Sequence, residues 1–327
     1  MKVLLLGATG LLGHNVLRRL LAEGHQVIAL VRKGGRIQME HEGCKVMECE
    51  NINDRRVLFV PMSECDAVIN CAGVTDMSLL SIDDYIGINC DLVRTIISMM
   101  ELTQIKRLVH VSTVNTIGYG TIEHPTDESE QAVFPFLESL YAESKRMGEQ
   151  AVLEGKDAHP DLEGIIVNPG FMIGSYDTKP SSGRLLLAGY RKPVMFAPRG
   201  GKAFVNVVDV AEVVVNALTM GTPGRTYIVT NSKASLTFKE LYKLQAHVCG
   251  YRQRVIQIPN WVLLAVGHVG EWLRRMGLRT QVSLNNIQQM LVREYYDNSA
   301  ARRDLGLKET SIEDAICDFY EWRKNRH

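Results

Sequence analysis

Lys2-Val3-Leu4-Leu5-Leu6-Gly7-Ala8-Thr9-Gly10-Leu11-Leu12-Gly13 follows the first residue of the chain. Four consecutive apolar residues, Val3 to Leu6, stop at a glycine turn, and a helical pattern begins at once. The run is too short for the apolar core of a secretory leader, so it reads as a strand. A turn with few Cβ atoms lets backbone approach a bound phosphate closely. The helix that it opens adds free N–H groups and the positive end of its dipole. Strand, glycine turn and helix in that order form the pyrophosphate cradle of a dinucleotide site. Gly7, Thr9, Gly10, Leu11, Leu12 and Gly13 are its candidate contacts.

The same alternation continues down the first half of the chain. Apolar strand candidates occur at 2–6, 26–31, 45–49, 66–71, 107–111 and 164–167, with helical patterns at 13–23, 85–102 and 140–154 between them. Continuous apolar strands separated by helices imply a parallel sheet covered on both faces. Right-handed crossovers make this a doubly wound α/β fold, the Rossmann arrangement. After residue 170 the rhythm breaks. Residues 174–203 have the glycine and proline content of long loops, and 236–327 read as mainly helical. The predicted division is a dinucleotide-binding domain at 1–174 plus 205–230, and a smaller, mainly helical C-terminal lobe at 175–204 plus 231–327.

Composition narrows the class of protein. With 46% hydrophobic and 23% charged residues, the 327-residue chain is neither disordered nor a small disulfide scaffold. Its seven cysteines are odd in number and show no CxxC spacing, which suits reduced thiols in the cytoplasm. The nine histidines form no metal-ligand pattern, so no metal site is predicted. The formal net charge of zero hides an uneven distribution. Residues 1–177 carry 15 basic and 25 acidic groups, whereas 178–293 carry 16 basic and 4 acidic.

The second strand ends Val31-Arg32-Lys33, where an NAD site usually places an acidic residue for the ribose 2′-hydroxyl. A guanidinium there favours a 2′-phosphate through forked, charge-assisted hydrogen bonds, so NADP(H) is predicted over NAD(H). Arg32 is the candidate, and Arg36 is an alternative. Tyr141-Ala142-Glu143-Ser144-Lys145 puts a phenol and an ammonium on one helical face. A nearby ammonium favours the phenolate and lowers the tyrosine pKa. Val111-Ser112-Thr113 ends a strand at the edge where open α/β sheets build their sites.

Together these segments resemble the extended short-chain dehydrogenase/reductase family, over nearly the whole chain. Gly7, Gly10 and Gly13 match its glycine loop. Asn51-Ile52 fits the adenine-contacting segment, with Asn in place of the usual Asp. Cys71-Ala72-Gly73 and Asn168-Pro169-Gly170 match turns beside the cofactor. Thr113, Tyr141 and Lys145 match the catalytic residues, and Asn89 matches the helix Asn that supports a proton relay to the lysine. The nearest branch is similar to dihydroflavonol reductases, on Val31-Arg32, Asn168-Pro169 with Ile173-Gly174, and Tyr296-Asp297-Asn298-Ser299. Nucleotide-sugar enzymes of the family usually carry an Arg-Asp-aromatic-x-His segment, where this chain has Lys202-Ala203-Phe204-Val205-Asn206.

The resemblance implies an NADP-dependent reductase or dehydrogenase in which Tyr141 exchanges a proton and Lys145 binds the nicotinamide ribose. The alternatives are an epimerase or dehydratase with a tightly held cofactor, and a non-catalytic NADP-binding module. Thr75, Asn115 and Phe171 are candidate substrate contacts. Residues 178–208 contain Lys179, Arg184, Arg191, Lys192, Arg199 and Lys202 without an acid, and Arg184 and Lys202 are the candidates for an anionic small-molecule substrate. A solvated loop, or a complement to the acidic first domain, explains the same charges. The segment 261–279 carries Trp261, Leu264, Val269, Trp272, Leu273 and Met276 ahead of Arg274, Arg275 and Arg279. It is expected to pack its apolar side on the second lobe rather than on a membrane. No nucleic-acid motif accompanies the basic residues. Relatives dimerise through helices like 85–102 and 140–154, so a homodimer is compatible with the resemblance.

Overall fold

The computed structural model describes residues 1–178 and 182–325. The first half runs β1 (Lys2–Leu6), α1 (Leu11–Ala22), β2 (Gln26–Arg32), β3 (Cys44–Cys49), α2 (Arg55–Met62), β4 (Ala67–Asn70) and α3 (Asp83–Ile86). It continues with α4 (Leu92–Thr103), β5 (Arg107–Val111), α5 (Leu140–Ala158) and β6 (Glu163–Pro169). Then come β7 (Phe171–Ile173), α6 (Gly183–Gly189), β8 (Val194–Ala197), β9 (Gly201–Asn206), α7 (Val207–Asn216) and β10 (Thr226–Val229). The chain ends with β11 (Ser235–Thr237), α8 (Phe238–Val248), β12 (Arg254–Gln257), α9 (Asn260–Arg275), α10 (Leu284–Leu291), α11 (Ser299–Leu305) and α12 (Ile312–Lys324).

Seven parallel strands form the main sheet in the order β10-β6-β5-β4-β1-β2-β3. The order reverses direction between β1 and β4, the switch point where such sheets open a crevice at their carboxyl ends. Successive side chains of a strand leave on opposite faces. Val3 and Leu5 therefore join a core with α1 and α7, while Leu4 and Leu6 join a second core with α2, α4 and α5. All four are fully buried, which explains why the strand reads as a continuous apolar run rather than an alternating one.

The second lobe is less helical than its sequence suggests. It holds a three-stranded sheet, β11-β9-β7, and a two-stranded sheet, β12-β8. Its core gathers Ile173, Leu186, Phe204, Leu241, Ile316 and Phe319. Ala300, Ala301 and Leu305 lie in the stretch that the sequence assigns to this lobe, yet they pack into the main-sheet core with Val213 and Tyr227.

Helix α9 departs in part from the expectation for 261–279, with Leu264 and Leu273 half-buried and the other apolar groups named there exposed. Its fully buried positions are Gly267 and Gly270, and Trp261, Val269, Trp272 and Met276 face outward. A Cβ on Gly267 would lie 3.2 Å from the Leu284 backbone, and one on Gly270 would lie 2.2 Å from the Val282 carbonyl oxygen. Close approach of α9 to α10 and its leading turn needs small residues on the inner side, so the large apolar groups are left outside. Among the described residues, no helix is long and apolar enough to cross a membrane.

Candidate active site

The glycine turn is shaped by two different constraints. Gly7 adopts φ +83°, and a Cβ there would sit 2.5 Å from the Cys71 carbonyl carbon. A Cβ on Gly13 would sit 2.1 Å from the Gly7 carbonyl oxygen, so α1 meets β1 through bare backbone. Gly10 differs. Its backbone is ordinary extended chain, φ −88° and ψ 170°, and its added Cβ would meet nothing closer than the Gly7 oxygen at 3.4 Å. The protein itself does not require glycine at that position. Gly10 is also the N-cap of α1, and no side chain caps that helix, so its first N–H groups face outward without a side-chain acceptor. An open cradle above uncapped N–H donors fits the pyrophosphate of a dinucleotide.

Thr9 lies beside the turn that follows β2, where its methyl group approaches Gly35. Arg32 ends β2 exposed and, among the described residues, forms no ion pair. Lys33 is engaged by Glu50 at 3.1 Å. Asn51 is exposed, with its Oδ1 accepting from the Asn53 N–H, while Ile52 is buried in the core beneath it. Leu11 and Leu12 are buried core residues, so their contribution to a ligand is their backbone.

The candidate catalytic residues converge at the carboxyl end of β5. Thr113 lies just beyond that strand, and its hydroxyl is near enough to Tyr141, at the start of α5, to act on the tyrosine's pKa. Ser139 caps α5 and so fixes where Tyr141 begins its first turn. One turn on, Lys145 is buried and donates from Nζ to the Val111 carbonyl at 2.6 Å. A Cβ on Gly73 would lie 3.8 Å from that Nζ, so the absence of a side chain at Gly73 keeps this side of the ammonium uncovered. Ala72 donates its N–H to Asn70 Oδ1, which holds the Cys71-Ala72-Gly73 turn.

Asn89 sits in a π-helical turn, residues 87–91, that interrupts the predicted helix 85–102. Such turns recur at functional sites because they re-aim a side chain. Here Asn89 accepts from the Val74 N–H at 2.8 Å and donates to the Val74 carbonyl and to Ser144. These partners use its side-chain groups to hold the loop after β4 against α5.

The structure corrects the expected effect of Lys145 on Tyr141. Burial pushes Tyr141 up to about 12, the Thr113 hydroxyl opposes this, and Glu149 and Tyr85 add to it. Burial also holds Lys145 down, to about 8, against the opposing pull of Glu149 and Cys71. The ammonium is anchored on a backbone carbonyl, and desolvation outweighs any gain to the phenolate.

Glu149 is the residue that sequence reading missed. It lies one turn beyond Lys145, accepts from Thr116 at 2.8 Å and from Asn168 at 3.0 Å, and faces Lys145 electrostatically. Burial raises its pKa, and the hydrogen bonds from Thr116 and Asn168 oppose that rise. The i, i+4 spacing from Lys145 was a visible signal. Asn168 is fully buried and serves Glu149 and Thr116. Pro169 ends β6 just past it, and the N–H of Gly170 that follows donates to the Val229 carbonyl.

Of the substrate candidates, Thr75 is exposed on the loop after β4, and the Asn115 N–H donates to Thr113 Oγ1. Phe171 packs edge-on against Phe204, 5.3 Å between centroids, as part of the second lobe's core. Lys202 is not free to bind an anion. Its ammonium is paired with buried Glu294 and donates to the Gln289 carbonyl, so its charge is neutralised within the fold. Arg184 is exposed and acts electrostatically on Asp76, whose pKa is lowered mainly by the Ser78 N–H. Lys179 lies outside the described residues.

Above this edge the α9–α10 pair reaches both rims. Arg274 donates to the Met77 and Leu79 carbonyls, and Asn285 donates to the Pro135 carbonyl. Leu80 on one rim, and Phe134 and Leu137 on the other, are exposed apolar side chains.

Comparison with known proteins agrees with this geometry. Residues 3–230 match the NAD dependent epimerase/dehydratase family. The chain is 28% identical to a Synechocystis protein named as a dihydroflavonol 4-reductase, covering 98% of this chain and 93% of that protein. It is 26% identical to sterol demethylase protein B of Methylococcus capsulatus, covering 100% of this chain and 99% of that one. The structure of UDP-glucose 4-epimerase from Thermotoga maritima superposes with a TM-score of 0.79 at 17% identity, over 100% of both chains, and so shares the fold. This chain is an enzyme of the NAD-dependent epimerase/dehydratase family, within the extended short-chain dehydrogenases/reductases.

Proposed function

We propose that this enzyme is an NADPH-dependent reductase acting on a carbonyl group of an apolar small molecule, with Tyr141 as the proton donor. The observation that carries the reading is that Thr113, Tyr141 and buried Lys145 meet at the end of β5, flanked by the open Gly10 cradle. NADPH, when bound, supplies the hydride. Thr113 and Tyr141 orient the carbonyl oxygen by hydrogen bonding, and Tyr141 passes its proton to that oxygen as negative charge develops there. A phenol held up at about 12 keeps its proton across the neutral range, as a general acid must. Lys145 offers its charge to the ribose side of the site. The exposed apolar side chains on both rims favour an apolar substrate, and the sterol-related relative is consistent with that class. With Lys202 paired to Glu294, the case for an anionic substrate loses one of its two candidate cations.

Two results follow for the cofactor side. Replacing Arg32 with Ala is expected to weaken NADPH about 10- to 100-fold while leaving NADH unchanged, the scale of one lost charge-assisted contact. Fluorescence titration with both nucleotides measures this. A native enzyme that binds NADH more tightly than NADPH contradicts the role given to Arg32.

The pH dependence follows from Lys145. In the free enzyme its pKa is lowered to about 8, and the protonated form is the active one. The value of kcat/KM for NADPH, which reports the free enzyme, is therefore level below about pH 7 and falls as pH rises through about 8. Glu149 raises the Lys145 pKa, so Glu149→Gln moves that fall to lower pH while keeping an acceptor for Thr116 and Asn168. Initial rates across the range test both statements, and a profile level to about pH 10 removes the ammonium from the account.

Net oxidation of NADPH, with cofactor that exchanges freely, distinguishes this reaction from an epimerase cycle. Cofactor retained through gel filtration, without net oxidation, favours the epimerase.

A further inference from the structure

Helix α9 presents an apolar stripe to solvent where an ordinary surface helix would present polar groups. Trp261 is 73% exposed, Val269 60%, Trp272 59% and Met276 60%. With exposed Ala265, His268 and Arg275, these positions recur at the spacing of one helical face. The face continues past the helix end into exposed Leu278, Arg279 and Val282. Contiguous exposed apolar surface of this kind marks an interaction site.

The surrounding charge selects the occupant. Along the chain, residues 241–293 carry seven basic groups and one acidic group, Glu271, and from outside that stretch Asp76 approaches Gln281 in the turn after α9. In a twofold contact between copies, the same patch meets itself, which would gather Arg275 and Arg279 of both copies with Glu271 as the helix's one carboxylate to offset them. An anionic lipid surface complements both features: tryptophans and aliphatic groups enter the headgroup boundary, and arginines meet lipid phosphates. A 16-residue helix is about 24 Å long, enough to lie in the plane of such a surface.

We propose that α9, with the turn that follows it, docks this enzyme on an anionic lipid bilayer. The position of the helix gives the docking a purpose. Arg274 ties its C-terminal end to the Met77 and Leu79 carbonyls, on the loop that Asn89 holds beside Tyr141 through Val74. Docking there brings the rim of the active site to the lipid boundary. The inference does not depend on which reaction the enzyme performs, because its test needs no turnover.

The full-length protein is centrifuged with vesicles of phosphatidylcholine alone, and with vesicles containing about one third phosphatidylglycerol. The expected result is binding to the phosphatidylglycerol vesicles that falls several-fold in high salt. Trp261→Ser with Trp272→Ser, and separately Arg275→Glu with Arg279→Glu, should each lower the bound fraction about tenfold. Melting temperature and NADPH affinity should not change, since these side chains lie outside the core and the cofactor cradle. No binding to the anionic vesicles overturns the proposal, as does equal binding by both variants. A concentration-dependent dimer that Trp272→Ser abolishes, in a protein that ignores vesicles, also overturns it and assigns the face to a second copy.

Discussion

Tyr141→Phe is expected to lower kcat by about 10²–10⁴ and to leave NADPH affinity within about twofold. That loss corresponds to about 3–5 kcal/mol of transition-state stabilisation. The substitution removes one hydroxyl and keeps the ring, which sits 6.5 Å from that of Tyr85. In the proposed reaction the hydroxyl acts beside Thr113, so the change would delete the proton donor and half of the pair proposed to orient the carbonyl oxygen. The glycine turn, at the end of β1 and separated from β5 by β4, is untouched. Steady-state rates and nucleotide titration on the same preparation read the two effects separately. Retention of more than half the activity removes Tyr141 from the chemistry. Loss of NADPH binding along with activity makes it a structural residue.

Gly10→Val has the second large effect, and its value lies in what should not change. The Gly10 backbone is in a conformation that any residue adopts, and the space above it is open to the Gly7 oxygen at 3.4 Å. Stability should fall by no more than about 1 kcal/mol, the scale of a poorer N-cap residue. If the space receives the cofactor pyrophosphate, the valine methyl groups fill it and NADPH affinity falls at least about 100-fold, or about 3 kcal/mol. Gly13→Ala makes the contrast, since its Cβ would lie 2.1 Å from the Gly7 oxygen and must displace α1. Thermal melts with and without NADPH distinguish the two. Equal destabilisation by both variants makes Gly10 a packing residue, and unchanged affinity in Gly10→Val moves the cofactor elsewhere.

The main sheet was legible because its signals are local. Val3 to Leu6 show continuous burial, and the glycine turn that follows them shows where the crevice opens. Thr113, Tyr141 and Lys145 were legible through their places at a strand end and on one helical turn. The helix predicted at 85–102 was read as continuous, because apolar spacing does not register the extra residue of the π-helical turn at Asn89. Lys202 was read as a free cation because its partner, Glu294, is distant in sequence and adjacent only in the folded chain. Helix α9 was read with all of its apolar groups packed inward, whereas only Leu264 and Leu273 of those named are half-buried. Periodicity shows that one side is apolar, but only its packing through Gly267 and Gly270 shows that this side faces solvent. The small sheets of the second lobe pair strands that are separated by long stretches of chain, such as β8 with β12, and local pattern does not reveal such pairings.

The central claim is net hydride transfer to a carbonyl with Tyr141 supplying the proton. Its most direct test incubates the enzyme with an extract of small apolar metabolites and NADPH carrying deuterium at both C4 positions, followed by mass spectrometry. The account predicts alcohols that carry one deuterium on carbon, formed by the native enzyme and absent with Tyr141→Phe. Deuterium that stays on the cofactor while substrate isomers interconvert, or labelled alcohol formed equally well by Tyr141→Phe, contradicts it.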